Sequence, residues 1–185
     1  MERCAWPSTN ALMIQYHDHE WGVPLHDDKK LFEFLVLDAF QAGLSWQTIL
    51  NKRENFRKAF DDFDYHKIAD YDTAKEDQLM NDAGIIRNKL KIKATIGNAK
   101  AFIRIQEEYG SFDAFIWQFT SYKTIDNKLN ALSQTPVKSM ESDAMSKVLI
   151  AKGFKFVGST ICYAFMQAAG MVNDHVEKCF RHGEV

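Results

Sequence analysis

The feature that most constrains this chain is an apolar run with one acid inside it. Residues 31–40 are apolar on nearly every side, which is typical of a helix that is buried all round. Asp38 lies within that run, and a carboxylate among apolar neighbours is costly unless it is paired, hydrogen-bonded or open to a cavity. Gly43 then ends the helix, and Ser45 is a favourable N-cap for a second helix that begins at Trp46.

Two interpretations of this turn remain open from residue types alone. In the first, Asp38 is a helix-end acid with satisfied hydrogen bonds, and Leu44 and Trp46 are core residues. In the second, Asp38 and Trp46 form a pocket wall, and Leu44 protrudes beside it as a wedge. Three more large rings occur early in the chain: Trp6, Tyr16 and Trp21. Such rings with one acid suit a pocket that stacks a planar, electron-poor ring, and cation–π attraction favours a positively charged one.

Most of the remaining sequence is patterned for helices. Apolar stripes, capping residues and terminating glycines predict helices over 10–16, 46–60, 64–70, 74–82, 88–109, 111–119, 142–152 and 158–169, and a last short one carrying His175 and Cys179. Residues 121–137 are polar and have no clear period, so we expect a surface loop there. Because no useful alternating Val/Ile/Thr-rich run occurs, the predicted fold class is all-α, in a single unit over residues 1–185.

A local cluster of positive charge occurs in a chain that is otherwise balanced. The formal net charge of -2 neither favours nor excludes a polyanionic partner. Residues 87–104, however, include six basic residues and no acid: Arg87, Lys89, Lys91, Lys93, Lys100 and Arg104. The turn at 83–87 would present backbone N–H groups at a helix N-terminus, where a DNA phosphate can bind. An ordinary helix corner with a solvated basic face fits the same pattern.

His175 and Cys179 are candidate metal ligands. They are four residues apart, so on a helix they would share a face. With Cys4 and His17, near the other end of the sequence, they would form a tetrahedral Cys2His2 set, which is typical of a closed structural zinc site. A chance pair is the alternative because no CxxC half-site is present. Other residues also compete as ligands: His19, His26 and Cys162.

Several function classes find no support in the sequence. No Walker loop, GxGxxG, GxSxG or HExxH motif is present, which weakens nucleotide-hydrolase, Rossmann, serine-hydrolase and metalloprotease hypotheses. The first residues lack a signal-peptide pattern, and no apolar run is long enough to span a bilayer. We therefore expect a cytoplasmic protein without a membrane partner. The three cysteines are too few, and odd in number, to indicate a disulfide framework.

Taken together, these motifs resemble the DNA-3-methyladenine glycosylase I family over essentially the whole chain. The matching segments are 1–6 (MERCAW), 16–24 (YHDHEWGVP), 41–46 (QAGLSW), 52–55 (KREN), 82–87 (DAGIIR), 153–158 (GFKFVG), 161–167 (ICYAFMQ) and 172–175 (VNDH). The resemblance is weakest over 121–137. It implies an all-α helix-hairpin-helix DNA glycosylase in which a zinc site joins the terminal segments 1–28 and 170–185. The helical core would then be 29–169, with the helix-hairpin-helix near 74–109.

The resemblance also implies roles for individual residues. The residues that would act on the base are Asp38, Trp46 and Tyr16. The further pocket residues would be Trp6, Trp21, Met13 and Phe40. The implied DNA contacts are the wedge residues Gly43 and Leu44 and the hairpin residues Gly84, Ile85, Ile86 and Arg87. The implied ligands of one structural Zn²⁺ per chain are Cys4, His17, His175 and Cys179.

The chain departs from the family at three pocket positions. The family usually has Glu where this chain has Asp38 and often has Tyr where it has Met13. Phe40 is bulkier than the family's usual residue. Since Asp is one methylene shorter than Glu, contact with a base would need a backbone shift, a water or a different rotamer.

These observations favour a monofunctional DNA-repair glycosylase that acts on alkylated double-stranded DNA as a monomer. It would flip N3-methyladenine out of the duplex and hydrolyse its glycosidic bond, leaving an abasic site. Methylation places a positive charge on the base and weakens that bond, so strong protonation by the enzyme is unnecessary. One alternative is a zinc-stabilised helix-hairpin-helix protein that recognises damage without excision. Another is a glycosylase with a shifted base preference.

Overall fold

The computed structural model describes residues 2–185, which form a mostly helical protein, as the sequence predicts. The ten α-helices are α1 (Ala11–His19), α2 (Asp28–Gln41), α3 (Trp46–Leu50), α4 (Arg53–Ala59), α5 (Tyr65–Ala69), α6 (Thr73–Asn81), α7 (Lys89–Tyr109), α8 (Phe112–Ile116), α9 (Met140–Ala151) and α10 (Ser159–Ala168). Short 3-10 turns lie at Asp61–Phe63, Trp117–Thr120 and Leu132–Gln134. Strands β1 (Ile125–Asp126) and β2 (Val172–Asn173) pair in parallel.

Most helix starts follow the capping signals in the sequence. Four predicted N-cap side chains accept a hydrogen bond from a backbone N–H in the first turn of the next helix: Ser45, Asp64, Asn88 and Ser111. Gly110 follows α7 with a φ of 87°, a conformation that favours glycine and ends the helix. Helix α6 begins one residue earlier than expected because Asp72 is its N-cap.

The single helix expected over 46–60 is instead two short helices, α3 and α4. The Lys52 N–H bonds the Ile49 carbonyl, three residues back, and this tighter bond turns the chain between the two helices. The turn lets the Lys52 side chain reach the carbonyls of Ala83 and Gly84 at 3.1 and 3.2 Å. A helix break that periodicity does not reveal therefore ties this region to the loop before α7.

The C-terminal segment differs most from its prediction. The expected helix around His175 and Cys179 is wrong, because the residues after β2 form bends and turns. The expected surface loop over 121–137 is not a free loop. It contains β1, which pairs with β2, and Leu129, which forms a parallel bridge with Val176. Backbone pairing therefore fixes this loop against the end of the chain.

Helix α2 is the centre of the core. Every residue from Leu31 to Phe40 is buried, and the helix contacts α3, α7, α8 and α10. Complete burial of one such apolar side chain contributes about 1.5–3 kcal/mol, so the run fixes α2 firmly and leaves little freedom for Asp38 within it. No helix among residues 2–185 has the length and apolarity that crossing a bilayer requires.

Candidate active site and metal-ligating cluster

A cavity of about 320 Å³ opens beside α2. Its lining comes from segments that are far apart in sequence: Trp6, Tyr16, Trp21, Asp38, Gln41, Trp46, Leu132, Thr135, Ala164 and Gln167. The volume lies within the range of small-molecule pockets, about 300–1,000 Å³. Five of the residues predicted for the base pocket, namely the four early aromatic rings and Asp38, therefore meet around one space.

Asp38 is the only acidic side chain that lines this cavity among the described residues. The residue is 2% exposed, and its carboxyl group makes no hydrogen bond with any other described residue. Burial without a partner raises the pKa of Asp38 well above its ordinary range, since it penalises the charged form. An unpaired buried acid of this kind marks a site at which a ligand can supply the missing partner.

Four aromatic rings surround that carboxyl group. The centroids of Tyr16 and Trp46 are 5.1 Å apart at an interplanar angle of 46°, and those of Trp6 and Trp21 are 5.1 Å apart at 69°. The indole N–H groups of Trp6 and Trp46 also have no hydrogen-bond partner among residues 2–185. Burial, and to a smaller extent the nearby Asp38, raises the pKa of Tyr16, so its hydroxyl stays protonated. The cavity thus offers planar apolar faces together with unpaired polar atoms.

Two predicted pocket residues do not line the cavity. Phe40 is completely buried and packs edge-on against Phe56 and Phe60, with ring centroids 4.8 and 6.0 Å away. Met13 belongs to the core rather than to the cavity lining. The expectation that these side chains face the pocket is therefore corrected. Phe40 is two residues beyond Asp38 on α2, and a helix turns by about 200° over two residues, so the two side chains point to nearly opposite sides.

Five residues that sequence reasoning did not assign also line the cavity: Gln41, Leu132, Thr135, Ala164 and Gln167. Leu132 and Thr135 belong to the segment expected to be a surface loop, and their sequence carries no signal of a pocket. Gln167 could have been noticed as a polar residue near the end of an apolar helix.

The turn between α2 and α3 contains the two residues predicted to form the wedge. Gly43 has a φ of 83°, and Leu44 is 42% exposed at the tip. Lys91 from α7 holds the base of this turn, because its ammonium group donates to the carbonyls of Phe40 and Ala42, both at 2.8 Å. The C-terminal end of α2 is thereby capped by a cation, which also suits the helix dipole.

Lys91 therefore does not belong to the predicted positive face, because its side chain is buried. Lys93 lies 3.7 Å from the Glu76 carboxylate, and Arg104 donates to the Lys152 carbonyl at 3.3 Å. The basic residues of this segment that are exposed and form no ion pair within residues 2–185 are Arg87, Lys89, Lys100 and Arg104. The positive face is smaller than the sequence predicts.

The loop between α6 and α7 contains the residues predicted to form the hairpin. The Gly84 N–H donates to the Asp82 carboxylate at 2.7 Å, so that amide is already satisfied. A Cβ at position 84 would approach the same carboxylate to 2.8 Å and the Asn55 side chain to 3.2 Å, so these side chains would have to shift to admit a larger residue. Ile85 is buried, whereas the backbone N–H groups of Ile86 and Arg87 make no hydrogen bond within the described part of the chain. These two amides, rather than that of Gly84, are available to an anion.

The four predicted metal ligands converge into one buried cluster. The ligand atoms of Cys4, His17, His175 and Cys179 all lie within 4.8 Å of one another, and they could hold a metal ion. The Cys179 sulfur is 3.5 Å from His17 Nε2 and 3.6 Å from His175 Nδ1, and the Cys4 sulfur is 3.7 Å from His175 Nδ1. Turns, not a helix face, bring His175 and Cys179 together.

The cluster also forms the outer support of the cavity. The Trp21 ring lies 4.6 Å from the His175 imidazole, and the Trp6 ring lies 5.3 Å from that of His17. Gly22, with a φ of 80°, allows close packing here, since a side chain at this position would approach His175 to 2.9 Å. Two walls of the cavity thus rest directly on candidate metal ligands.

Comparison with known proteins gives consistent matches. A family model described as methyladenine glycosylase matches residues 6–182. The chain is 50% identical to DNA-3-methyladenine glycosylase 1 of Escherichia coli (strain K12), over 97% of this chain and 96% of that protein. A crystal structure of 3-methyladenine DNA glycosylase I superposes with a TM-score of 0.94 at 46% identity, covering 97% of this chain and 98% of that one. A variant of such an enzyme solved in complex with 3-methyladenine superposes with a TM-score of 0.94 at 35% identity, covering 97% of both chains.

Proposed function

The chain belongs to the methyladenine glycosylase family, and from that premise we propose that the aromatic cavity around Asp38 holds the base during excision. The protein is a DNA-repair N-glycosylase that removes 3-methyladenine from DNA. The observation that carries the proposal about the cavity is the unpaired carboxyl group of Asp38, which is buried and shares a cavity of about 320 Å³ with four aromatic rings. A buried carboxyl group that never gained a hydrogen-bond partner would lower the stability of the folded protein without any benefit.

The base is held by stacking and by charge. N3-methyladenine in DNA is a planar cation, so the faces of Trp46 and Tyr16 attract it through dispersion and cation–π interaction. The Asp38 carboxyl group accepts a hydrogen bond from the exocyclic amine, and the positive ring favours the charged form of that acid. The cation thus compensates for the burial of the carboxylate, which is costly in the free protein.

Hydrolysis then needs little acid catalysis. Water attacks C1′ of the sugar, the bond from C1′ to N9 breaks, and the base leaves with the bonding electron pair as a neutral molecule. The proton released by the water passes to solvent. Among the described residues no lysine lines the cavity, so no amine is placed to form a covalent intermediate with the sugar. We therefore expect a monofunctional enzyme that leaves an abasic site with both strands intact.

The surface around the cavity suits duplex DNA. Leu44 projects from a turn adjacent to Asp38 and Trp46, where it would fill the space vacated by the flipped nucleotide. The hairpin between α6 and α7 offers the free amides of Ile86 and Arg87, and the exposed guanidinium of Arg87, to backbone phosphates. These features support a helix-hairpin-helix mode of DNA binding. A complete cavity within one chain supports action as a monomer, and a cytoplasmic location stays a prediction.

The Cys2His2 cluster fits a structural zinc ion. Tetrahedral zinc with ordinary Zn–S and Zn–N bonds separates its sulfur and nitrogen ligands by about 3.6 Å. The three sulfur–nitrogen separations given above, 3.5–3.7 Å, match that value. Four protein ligands would leave no open position for water, so the ion would fasten the terminal segments together and take no part in hydrolysis.

The outer contacts of the imidazoles also suit a metal. His17 Nδ1 lies 2.7 Å from the Asp18 carboxylate, and His175 Nε2 lies 3.0 Å from the Trp21 carbonyl. Such partners take the second ring N–H of a metal-bound histidine and leave the other nitrogen free to coordinate. Asp18 is itself fixed by the Arg3 guanidinium, which holds the pKa of that carboxyl at about 2.

Base release tests the proposed site. The purified protein should liberate 3-methyladenine from methylated DNA, as measured by chromatography, and Trp46→Ala should reduce this release at least about tenfold because one stacking face is lost. Trp117→Phe is the matched control, since Trp117 is an indole buried away from the cavity. Undiminished release by Trp46→Ala would contradict the stacking role. DNA binding without base release by the wild-type protein would instead favour the damage-recognition alternative.

A further inference from the structure

Gln167 lies at the C-terminal end of α10 and lines the same cavity as Asp38. Its Nε2 donates to the Asp174 carboxylate at 2.7 Å. Its Oε1 makes no hydrogen bond with residues 2–185 and, unlike the Asp38 Oδ2, is not sealed from solvent. The amide therefore has one end fixed in the protein and the other end available to a ligand.

Asp174 determines which end of the amide is available. It is 1% exposed and accepts hydrogen bonds from three side chains: Asn127 at 2.6 Å, Tyr163 at 2.9 Å and Gln167 at 2.7 Å. A carboxylate only accepts hydrogen bonds, so the Gln167 amide must turn its nitrogen toward Asp174 and its carbonyl oxygen away from it. A buried network with every partner satisfied holds such an orientation rigidly.

We propose that the Gln167 carbonyl oxygen is a second acceptor for the exocyclic amine of the flipped base and makes this cavity selective for methylated adenine over methylated guanine. The inference rests on the proposed role of the cavity. Adenine carries an amine with two N–H donors where guanine carries a carbonyl oxygen. Two acceptors, Asp38 and Gln167, on one cavity can satisfy both donors, whereas a guanine carbonyl would face them without a hydrogen atom to share.

This acceptor also suits a chain that carries aspartate at position 38. A shorter carboxyl group reaches less far into the cavity, and a fixed carbonyl oxygen on another wall can share the recognition of the amine. Selectivity would then depend on Asp174, which does not line the cavity, because it sets the orientation of the Gln167 amide.

The test compares the 3-methyladenine and 3-methylguanine that each purified variant releases from methylated DNA. Gln167→Met keeps the length of the side chain and removes the acceptor, so the ratio of adenine to guanine product should fall about tenfold. Asp174→Asn replaces one of the two accepting carboxylate oxygens by an amide N–H, so the three side chains that donate to them share one acceptor. The Gln167 amide is then no longer fixed in one orientation and can also turn its nitrogen toward the base. Release of 3-methylguanine should therefore rise.

The matched control is Tyr163→Phe, which removes a donor to Asp174 but leaves the Gln167 contact in place. Its product ratio should stay within about twofold of the wild type. Thermal melting establishes which variants are folded. If Gln167→Met is unfolded, the product ratio of Asp174→Asn tests the inference. An unchanged ratio in either folded variant, or an equal fall in Tyr163→Phe, overturns the inference. Failure of the wild-type protein to release 3-methyladenine would instead refute the proposed role of the cavity itself.

Discussion

Replacing Asp38 by asparagine should change how the stability of the protein depends on pH. In the folded protein the pKa of Asp38 is raised well above its ordinary value because the carboxyl group is buried and has no partner. In the unfolded chain the same group returns to its ordinary pKa of about 3.9. Between these two pKa values the folded state holds a proton that the unfolded state has lost.

The sign and slope follow from this difference. The free energy of unfolding of the wild type is highest below pH ~4 with respect to this group, and it falls as the pH rises toward the pKa of the folded state. The fall is about 1.4 kcal/mol for each pH unit and stops above that pKa. Asp38→Asn removes this slope. The unpaired amide of the variant lowers its free energy of unfolding by the same amount at every pH. The informative quantity is therefore how the difference in free energy of unfolding between variant and wild type changes with pH, not the difference at one pH.

The assay is urea unfolding of both proteins at several pH values between about 4 and 8, followed by tryptophan fluorescence. Loss of metal in acid would affect both proteins alike and cancel in the difference. Asp77→Asn is the matched control, because it removes an exposed carboxylate in the middle of α6. Its stability should run parallel to that of the wild type across the pH range.

Parallel pH profiles for Asp38→Asn and the wild type would refute this reasoning. They would mean that the buried carboxyl group ionises in the folded state as easily as in water.

Three further predictions concern the surroundings of the cavity. Lys91→Met should lower the free energy of unfolding by about 2–3 kcal/mol, because two backbone carbonyls lose a charged donor, and it should also slow excision. Unchanged urea unfolding would count against a role of Lys91 in stabilising the turn between α2 and α3. Leu44→Ala should weaken excision from duplex DNA about tenfold without altering the binding of free base in calorimetry, and an equal loss of both would contradict a wedge role. Cys179→Ser should lower the melting temperature and the zinc content measured by mass spectrometry. The zinc proposal would be refuted if the wild-type protein contained no zinc and Cys179→Ser had the same melting temperature as the wild type.

The elements that the sequence predicts well are those with local signals. Ser45 and Asn88 cap their helices because the side chain that accepts the hydrogen bond is three residues from its donor. The buried acid at position 38 is visible because it interrupts an apolar run. Each of these features depends on neighbours within a few residues, which is the range over which a sequence pattern carries information.

Other parts of the site could not be predicted because their causes are non-local. Leu132 and Thr135 reach the cavity through a strand of only two residues that pairs with β2, far away in sequence. A strand of two residues is too short to show the alternating apolar and polar pattern by which a strand is recognised in a sequence. The burial of Lys91 could not be predicted either. A lysine is usually solvated at the surface, but the carbonyls of Phe40 and Ala42, distant in sequence, accept hydrogen bonds from its ammonium group and keep it buried. The family resemblance implies a pocket role for Phe40, but the turn of the helix between Asp38 and Phe40 directs the Phe40 side chain away from the cavity.

The convergence of Trp6, Trp21 and Gln167 on one cavity has a consequence for synthesis of the protein on the ribosome. Trp21 emerges long before the residue on which its ring packs, because His175 follows it by 154 residues. During translation the rings of Trp6 and Trp21 therefore stay exposed to solvent while the helices that precede Gln167 and His175 fold. A chain that stalls before Gln167 would thus have most of its helices but an incomplete cavity. Chaperones and proteases would meet this half-assembled state.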